Sequence, residues 1–157
     1  MAANATELVA LEAEVSAFRE LLVVLHTEQD VLRRADAEAL AQLVPAKEQK
    51  LATLGSLARK RGDVLRKSGF PDTRAGMEAW LATGPQADRG RAQFRELLEL
   101  AREARDLNAS SQRLAVIQYR HFERAGAALR RATGQDDVYG ADGRPRHRGP
   151  QRELAAI

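Results

Sequence analysis

The side chains able to do chemistry in this chain are few and scattered. There is no cysteine, which excludes disulfides, thiolate catalysis and cysteine-held metal. The three histidines, His26, His121 and His147, are too widely separated to form a two-histidine ligand pair on one helical turn. His26 beside Leu25 and His121 beside Phe122 read as partly buried helix residues, and His147 lies among arginines. Glu12, Glu14 and Glu20 read as solvated carboxylates, with no environment that would set one acid against another for proton transfer. The glycines form no phosphate-cradling loop ahead of a helix, and Gly126 stands alone inside a helical pattern. These residues predict no catalysis, no metal, no cofactor and no small-molecule substrate.

Two short stretches are better suited to recognition than to reaction. Tyr139-Gly140-Ala141-Asp142-Gly143 holds an aromatic among glycines in a polar tail, which fits either a linear docking motif or a passive Asp-Gly turn. Gly143-Arg144-Pro145-Arg146-His147-Arg148 contains the Gly-Arg-Pro core of a minor-groove hook. Asp142 precedes that glycine where a cation would serve better, and it would repel phosphate. The formal charge of +3 and pI of about 9.7 read as a mixed-charge helical surface, so nucleic acid is disfavoured as a partner.

The elements that carry these residues are helical. Aromatics are 4% of a chain that is 44% apolar and 30% charged, a composition for long helices with thin seams instead of a filled globular interior. Leu8, Leu11, Val15, Phe18, Leu22, Leu25 and Leu32 keep a heptad through a first rod from Thr6 to Arg34, broken at Gln29. The register slips after Leu32, which places a turn at Ala35-Asp36. A short helix over Ala37 to Val44 is expected to end at Pro45, the first residue of a further helix. Lys47, Leu51, Leu54, Leu57, Arg61, Val64 and Leu65 form its seam, and Gly69 closes it in a left-handed cap.

Ser68 to Asp72 is a loop, and Thr73 to Leu81 a short helical turn whose Trp80 plugs one end of the seam. After the breakers Thr83 to Gln86, a long helix runs from about Asp88 to Thr133. Its stripe includes Phe94, Leu97, Leu98, Leu100, Ala101, Ala104, Leu107, Leu114, Ile117, Phe122, Ala125 and Leu129. About forty helical residues span about 60 Å, the length of a rod that lies against another rod. Asn108, Ser111 and Gln118 interrupt the stripe, either to fix register or because this face meets a partner helix.

The expected fold is all-α: an elongated antiparallel helical hairpin or three-helix, coiled-coil-like bundle over residues 1–134, with a flexible tail over 135–157. Met1 to Glu12 carries no signal pattern and no segment is apolar enough to span a bilayer, so no membrane insertion and a cytoplasmic location are expected.

Lys47 through Leu54 with Leu57 and Arg61, Arg105-Asp106-Leu107-Asn108, and Tyr139-Gly140-Ala141-Asp142-Gly143 followed by His147-Arg148-Gly149 together resemble the flagellar export chaperones of the FlgN type. The resemblance runs from Leu8 to about Gly149, with Ser111-Gln112 where the family has Asn-Gly. It implies a flagellar type III secretion chaperone that binds the C-terminal amphipathic helices of the hook-filament junction proteins FlgK and FlgL. Such a chaperone prevents their premature assembly and delivers them to the export gate. Carried over by position, Tyr139, with Gly140, Asp142 and Gly143, would dock on the gate component FlhA. Leu107, Asn108, Leu114, Ile117 and Phe122 would take the substrate helix. The residues alone leave two other readings open: a self-associating coiled-coil scaffold, and nucleic-acid binding through the basic tail.

Overall fold

In the computed structural model of the chain, residues 5–133 are described, and the regular structure among them is entirely helical. The helices are α1 (Ala5–Arg33), α2 (Ala37–Lys67), α3 (Arg74–Ala82) and α4 (Ala87–Ala132). Contacts divide the chain into two compact units, Met1–Ala115 and Val116–Ile157, with the boundary inside α4.

Local chemistry sets the helix ends. At the close of α1, Asp36 N–H donates to Val31 and Ala35 N–H to Leu32, the paired bonds that satisfy the last carbonyls of a helix. This requires a left-handed residue, and Ala35 holds φ 54° there although it carries a Cβ. The Asp36 carboxylate then caps α2 by accepting from Ala39 N at 2.9 Å, so the turn sits at the register slip. α2 closes with the same bond pair, Phe70 N–H to Leu65 and Gly69 N–H to Arg66. Here glycine occupies the left-handed position, with φ 82°, at no steric cost. Thr73 caps α3 by accepting from Gly76 N at 3.1 Å.

One boundary differs from expectation. Residues 37–67 form a single helix with Pro45 inside it, not a short helix followed by a second one. Proline removes the bond to the carbonyl four residues earlier, but Pro45 is solvent-exposed. Water can therefore serve the freed group on that side, and the helix runs on.

Within Met1–Ala115, the apolar residues gather in two clusters. The first joins Leu8, Leu11 and Val15 of α1, Leu65 of α2, Met77, Trp80 and Leu81 of α3, and Phe94 and Leu97 of α4. The second joins Ala17, Leu21, Leu22 and Leu25 with Leu54 and Ala104. Each fully buried leucine stabilises the fold by about 1.5–3 kcal/mol. Gly90 permits the close approach of α4 at the first cluster, because a methyl there would lie 2.7 Å from Leu81 Cδ2 and 3.0 Å from Leu8 Cδ2.

α1 and α2 run antiparallel in a register fixed by a ladder of heptad steps. Arg61 Nε donates to Glu14 at 2.9 Å, Leu21 and Leu54 share the second cluster, and Lys47 Nζ donates to both Glu28 oxygens at 2.9 Å. These pairs step seven residues along each helix in opposite directions, and a one-heptad slip would set charges against leucines. Glu14 is therefore not the solvated carboxylate its sequence context indicated: it is only 3% exposed, and its carboxylate accepts from Arg61. Glu12 and Glu20 do lie on the surface, facing Arg89 and Lys50.

Candidate functional site

Between α2 and α4, with α1 as its floor, lies an elongated groove of about 740 Å³. α1 contributes Phe18, Leu21 and Leu25; α2 contributes Leu51, Leu54, Gly55 and Ala58; α4 contributes Phe94, Leu97, Leu98, Ala101 and Ala104. The helical period explains the lining, since residues three and four apart on each helix face the same slot. Small side chains at Gly55, Ala58, Ala101 and Ala104 keep the walls low, and Leu51 stands half-exposed on the rim.

Polar groups close the two ends. At one end, Lys47 reaches from α2 to Glu28 on α1 and to Asn108 Oδ1 on α4 at 2.8 Å, so one ammonium ties three helices together. Its side chain and that of Glu28 are 21% and 14% exposed. Charge-assisted bonds to so compact a cation explain why a lysine occupies a seam position. At the other end stand Asp72, Thr73 and Arg74. Asp72 accepts from Arg66 at 3.0 Å, and Arg74 donates to Glu78 at 2.9 Å. The exposed Arg66 guanidinium is held above its ordinary pKa, first by its hydrogen bond to Asp63 and also by the charges of Asp63 and Asp72.

The proposed substrate-helix residues fall in different surroundings. Asn108 lines the groove, whereas its neighbour Leu107 lines a shallow surface depression with Gln29, Glu103 and Asp106. Consecutive helical residues are about 100° apart, which accounts for the split. Leu114 is half-buried. Among the polar interruptions of the stripe, Asn108 makes the interhelical bond. Ser111 is 3% exposed, and its hydroxyl has no hydrogen-bond partner among the described residues.

In the second unit, the described part of α4, residues 116–132, has no buried residue. Ile117 is 50% and Phe122 64% exposed. Their five-residue spacing turns them about 140° apart, so they belong to different faces. Phe122, Ala125 and Leu129 do share a face, and Leu129 is 65% exposed. Tyr119 is exposed as well, its hydroxyl donating to Glu123 at 2.9 Å. Tyr139, Gly140, Asp142, Gly143 and His147 lie outside the described residues.

The histidine environments differ from expectation. His26 is exposed, with Nε2 3.6 Å from Glu103, and His121 is exposed too; neither lies on the buried side of its helix. Asp30 follows His26 at the i+4 position, yet among the described residues no group of three or more His, Asp or Glu is placed to hold a metal. Nor is any described helix long and apolar enough to cross a membrane.

The interhelical charge ladder was the feature the sequence reading missed. Its signal is Glu14 and Glu28 two heptads apart on one helix and Arg61 and Lys47 two heptads apart on the other, with leucine between each pair. Cations on an apolar seam call for acids on the facing one.

An apolar groove and an exposed apolar helical face are surfaces on which another helix can lie. The family described as FlgN protein matches residues 1–147, so the chain belongs to the FlgN family, with a role in flagellum biogenesis as a chaperone. A crystal structure described as that of a flagella synthesis protein FlgN from Pseudomonas aeruginosa is similar at 25% identity and a TM-score of 0.68. The similarity covers 73% of this chain and 90% of that one. No curated protein matches.

Proposed function

We propose that this chain is a cytoplasmic chaperone of flagellar type III export that binds the C-terminal amphipathic helices of FlgK and FlgL, keeps them from assembling early, and presents them to FlhA. The observation that carries the proposal is the exposed apolar surface of residues 116–132 of α4, where Phe122 and Leu129 are about two-thirds exposed on one helical face. Such residues stabilise nothing while wet, and they gain free energy when an amphipathic helix lies against them. Helix-on-helix burial needs neither nucleotide nor catalytic group. Family membership supports the flagellar setting, and Tyr139 within Tyr-Gly-Ala-Asp-Gly is the handle assigned to FlhA.

The test is co-elution of the full chain with a purified FlgK or FlgL C-terminal segment in gel filtration. A stable complex is expected, and failure to co-elute at about tens of micromolar, a binding free energy weaker than about −6 kcal/mol, contradicts the proposal. Tyr139→Ala should leave that complex intact while weakening association with FlhA. The same exposed face could instead pair two copies of the chain. Sedimentation equilibrium without partner then finds a dimer, and the scaffold reading replaces this one.

A further inference from the structure

Charge sets residues 116–132 of α4 apart as clearly as exposure does. They hold four arginines, Arg120, Arg124, Arg130 and Arg131, against one acid, Glu123, a balance of +3 that equals the formal charge of the whole chain. All four arginines are exposed, and none pairs with an acid among the described residues, whereas Arg61, Arg74 and Arg91 each have a partner in the chain. Glu123 itself accepts from the Tyr119 hydroxyl. Arg120, Arg124 and Arg131 form one ridge within about 20° of the side opposite Phe122, at 100° per residue. Tyr119 and Arg130 stand at the edge of the apolar face, about 60° and 80° from Phe122.

We infer that residues 116–132 bind an anionic lipid bilayer, lying in its surface without crossing it. Phe and Leu on one side of a helix and arginine on the other suit the interface of a membrane. Sunk by about 5–10 Å at the headgroup boundary, a helix about 10–12 Å across puts Phe122 and Leu129 among acyl carbons and keeps the arginine ridge at the level of the lipid phosphates. The Tyr119 ring and hydroxyl then straddle the boundary. A nucleic acid on the ridge would leave Phe122 and Leu129 wet, and a helix on the apolar face would leave the ridge unpaired. An anionic bilayer satisfies both. The inference rests on the proposed function in one respect: the apolar face is the one assigned to the junction-protein helix, so bilayer and junction segment exclude each other.

The experiment is sedimentation of the full chain with vesicles of phosphatidylcholine alone or in equal mixture with phosphatidylglycerol. The mixture should bind at least about tenfold more tightly, since each arginine near an anionic surface strengthens binding about fivefold, and the difference should shrink as salt screens the charges. Replacing Arg120, Arg124 and Arg131 together by glutamine should remove most of that preference. Phe122→Asp with Leu129→Asp should lower affinity for the mixture by more than about tenfold. All five side chains are exposed, and circular dichroism checks that both variants fold. Tyr119→Trp reports the contact directly: emission should shift to the blue on mixed vesicles, read against the unsubstituted chain, whose Trp80 is buried. Val9→Asp with Val23→Asp, exposed positions on α1, should change nothing. Equal partition into the two vesicles, aspartates at 122 and 129 without effect, or an unshifted emission overturns the inference, as does duplex DNA stripping the chain from mixed vesicles at equal phosphate concentration. The junction segment separates the readings: the glutamine variant should bind it as the unsubstituted chain does, and bound segment should release the chain from vesicles. Failure of the segment to bind removes the proposed function alone, failure of the vesicles to bind removes this inference alone, and a ternary complex contradicts the shared face.

Discussion

The two parts of α4 carry much the same apolar pattern and meet opposite fates. In residues 87–115, Gly90, Phe94, Leu97, Ala104 and Ser111 are buried, covered by α1, α2 and α3 of the same unit. In residues 116–132, Val116, Ile117, Tyr119, Phe122 and Leu129 are each at least half exposed. The periodicity that marks a helix's apolar face does not say whose surface will cover it. One stretch buries its apolar residues in the fold, and the other leaves them exposed.

The largest expected effect sets the two stretches directly against each other. Leu97→Ala removes a buried side chain and should destabilise the free chain by about 2–5 kcal/mol, whereas Leu129→Ala should change stability by less than about 0.5 kcal/mol. Urea unfolding of both variants checks the contrast, and equal losses would show that the second stretch is covered in the free chain. Next comes the ladder that holds the bundle in register. Arg61→Met strands the Glu14 carboxylate among apolar neighbours and should cost about 3 kcal/mol, while replacing both partners by apolar residues should restore most of the loss. A double-mutant cycle measures the coupling.

Two smaller changes should raise stability, and only through the folded unit. Ser111→Ala removes a buried hydroxyl that has no partner among the described residues and should gain about 1 kcal/mol. Ala35→Gly relieves a left-handed residue and should gain about 0.5–1 kcal/mol. Thermal melts of these variants, with junction-segment binding unchanged, would sharpen the division between stability and association.

Much of the fold was legible because its signals are local. The heptad from Leu8 to Leu32, the slip before Asp36, the Gly69 cap and the Thr83 to Gln86 break each depend on a few adjacent residues, and the helices begin and end close to them. Pro45 misled because its cost depends on whether the freed carbonyl faces water. Glu14 and the histidines misled because burial is decided by residues far along the chain: Arg61 encloses one, and nothing covers the others. The groove was illegible for a related reason, since periodicity assigns faces to α2 and α4 but does not set the gap between them. For the site itself, Asn108 was read as a polar interruption of the seam, yet its partner Lys47 is 61 residues away.

The most direct test of the central claim is calorimetric titration of a purified junction-protein C-terminal segment into the full chain, repeated with Phe122 and Leu129 both replaced by aspartate. Binding is expected with a negative heat-capacity change, the mark of apolar surface leaving water, and is expected to be lost in the double variant with the fold intact. No heat at about tens of micromolar, or heat that the aspartates leave unchanged, contradicts it.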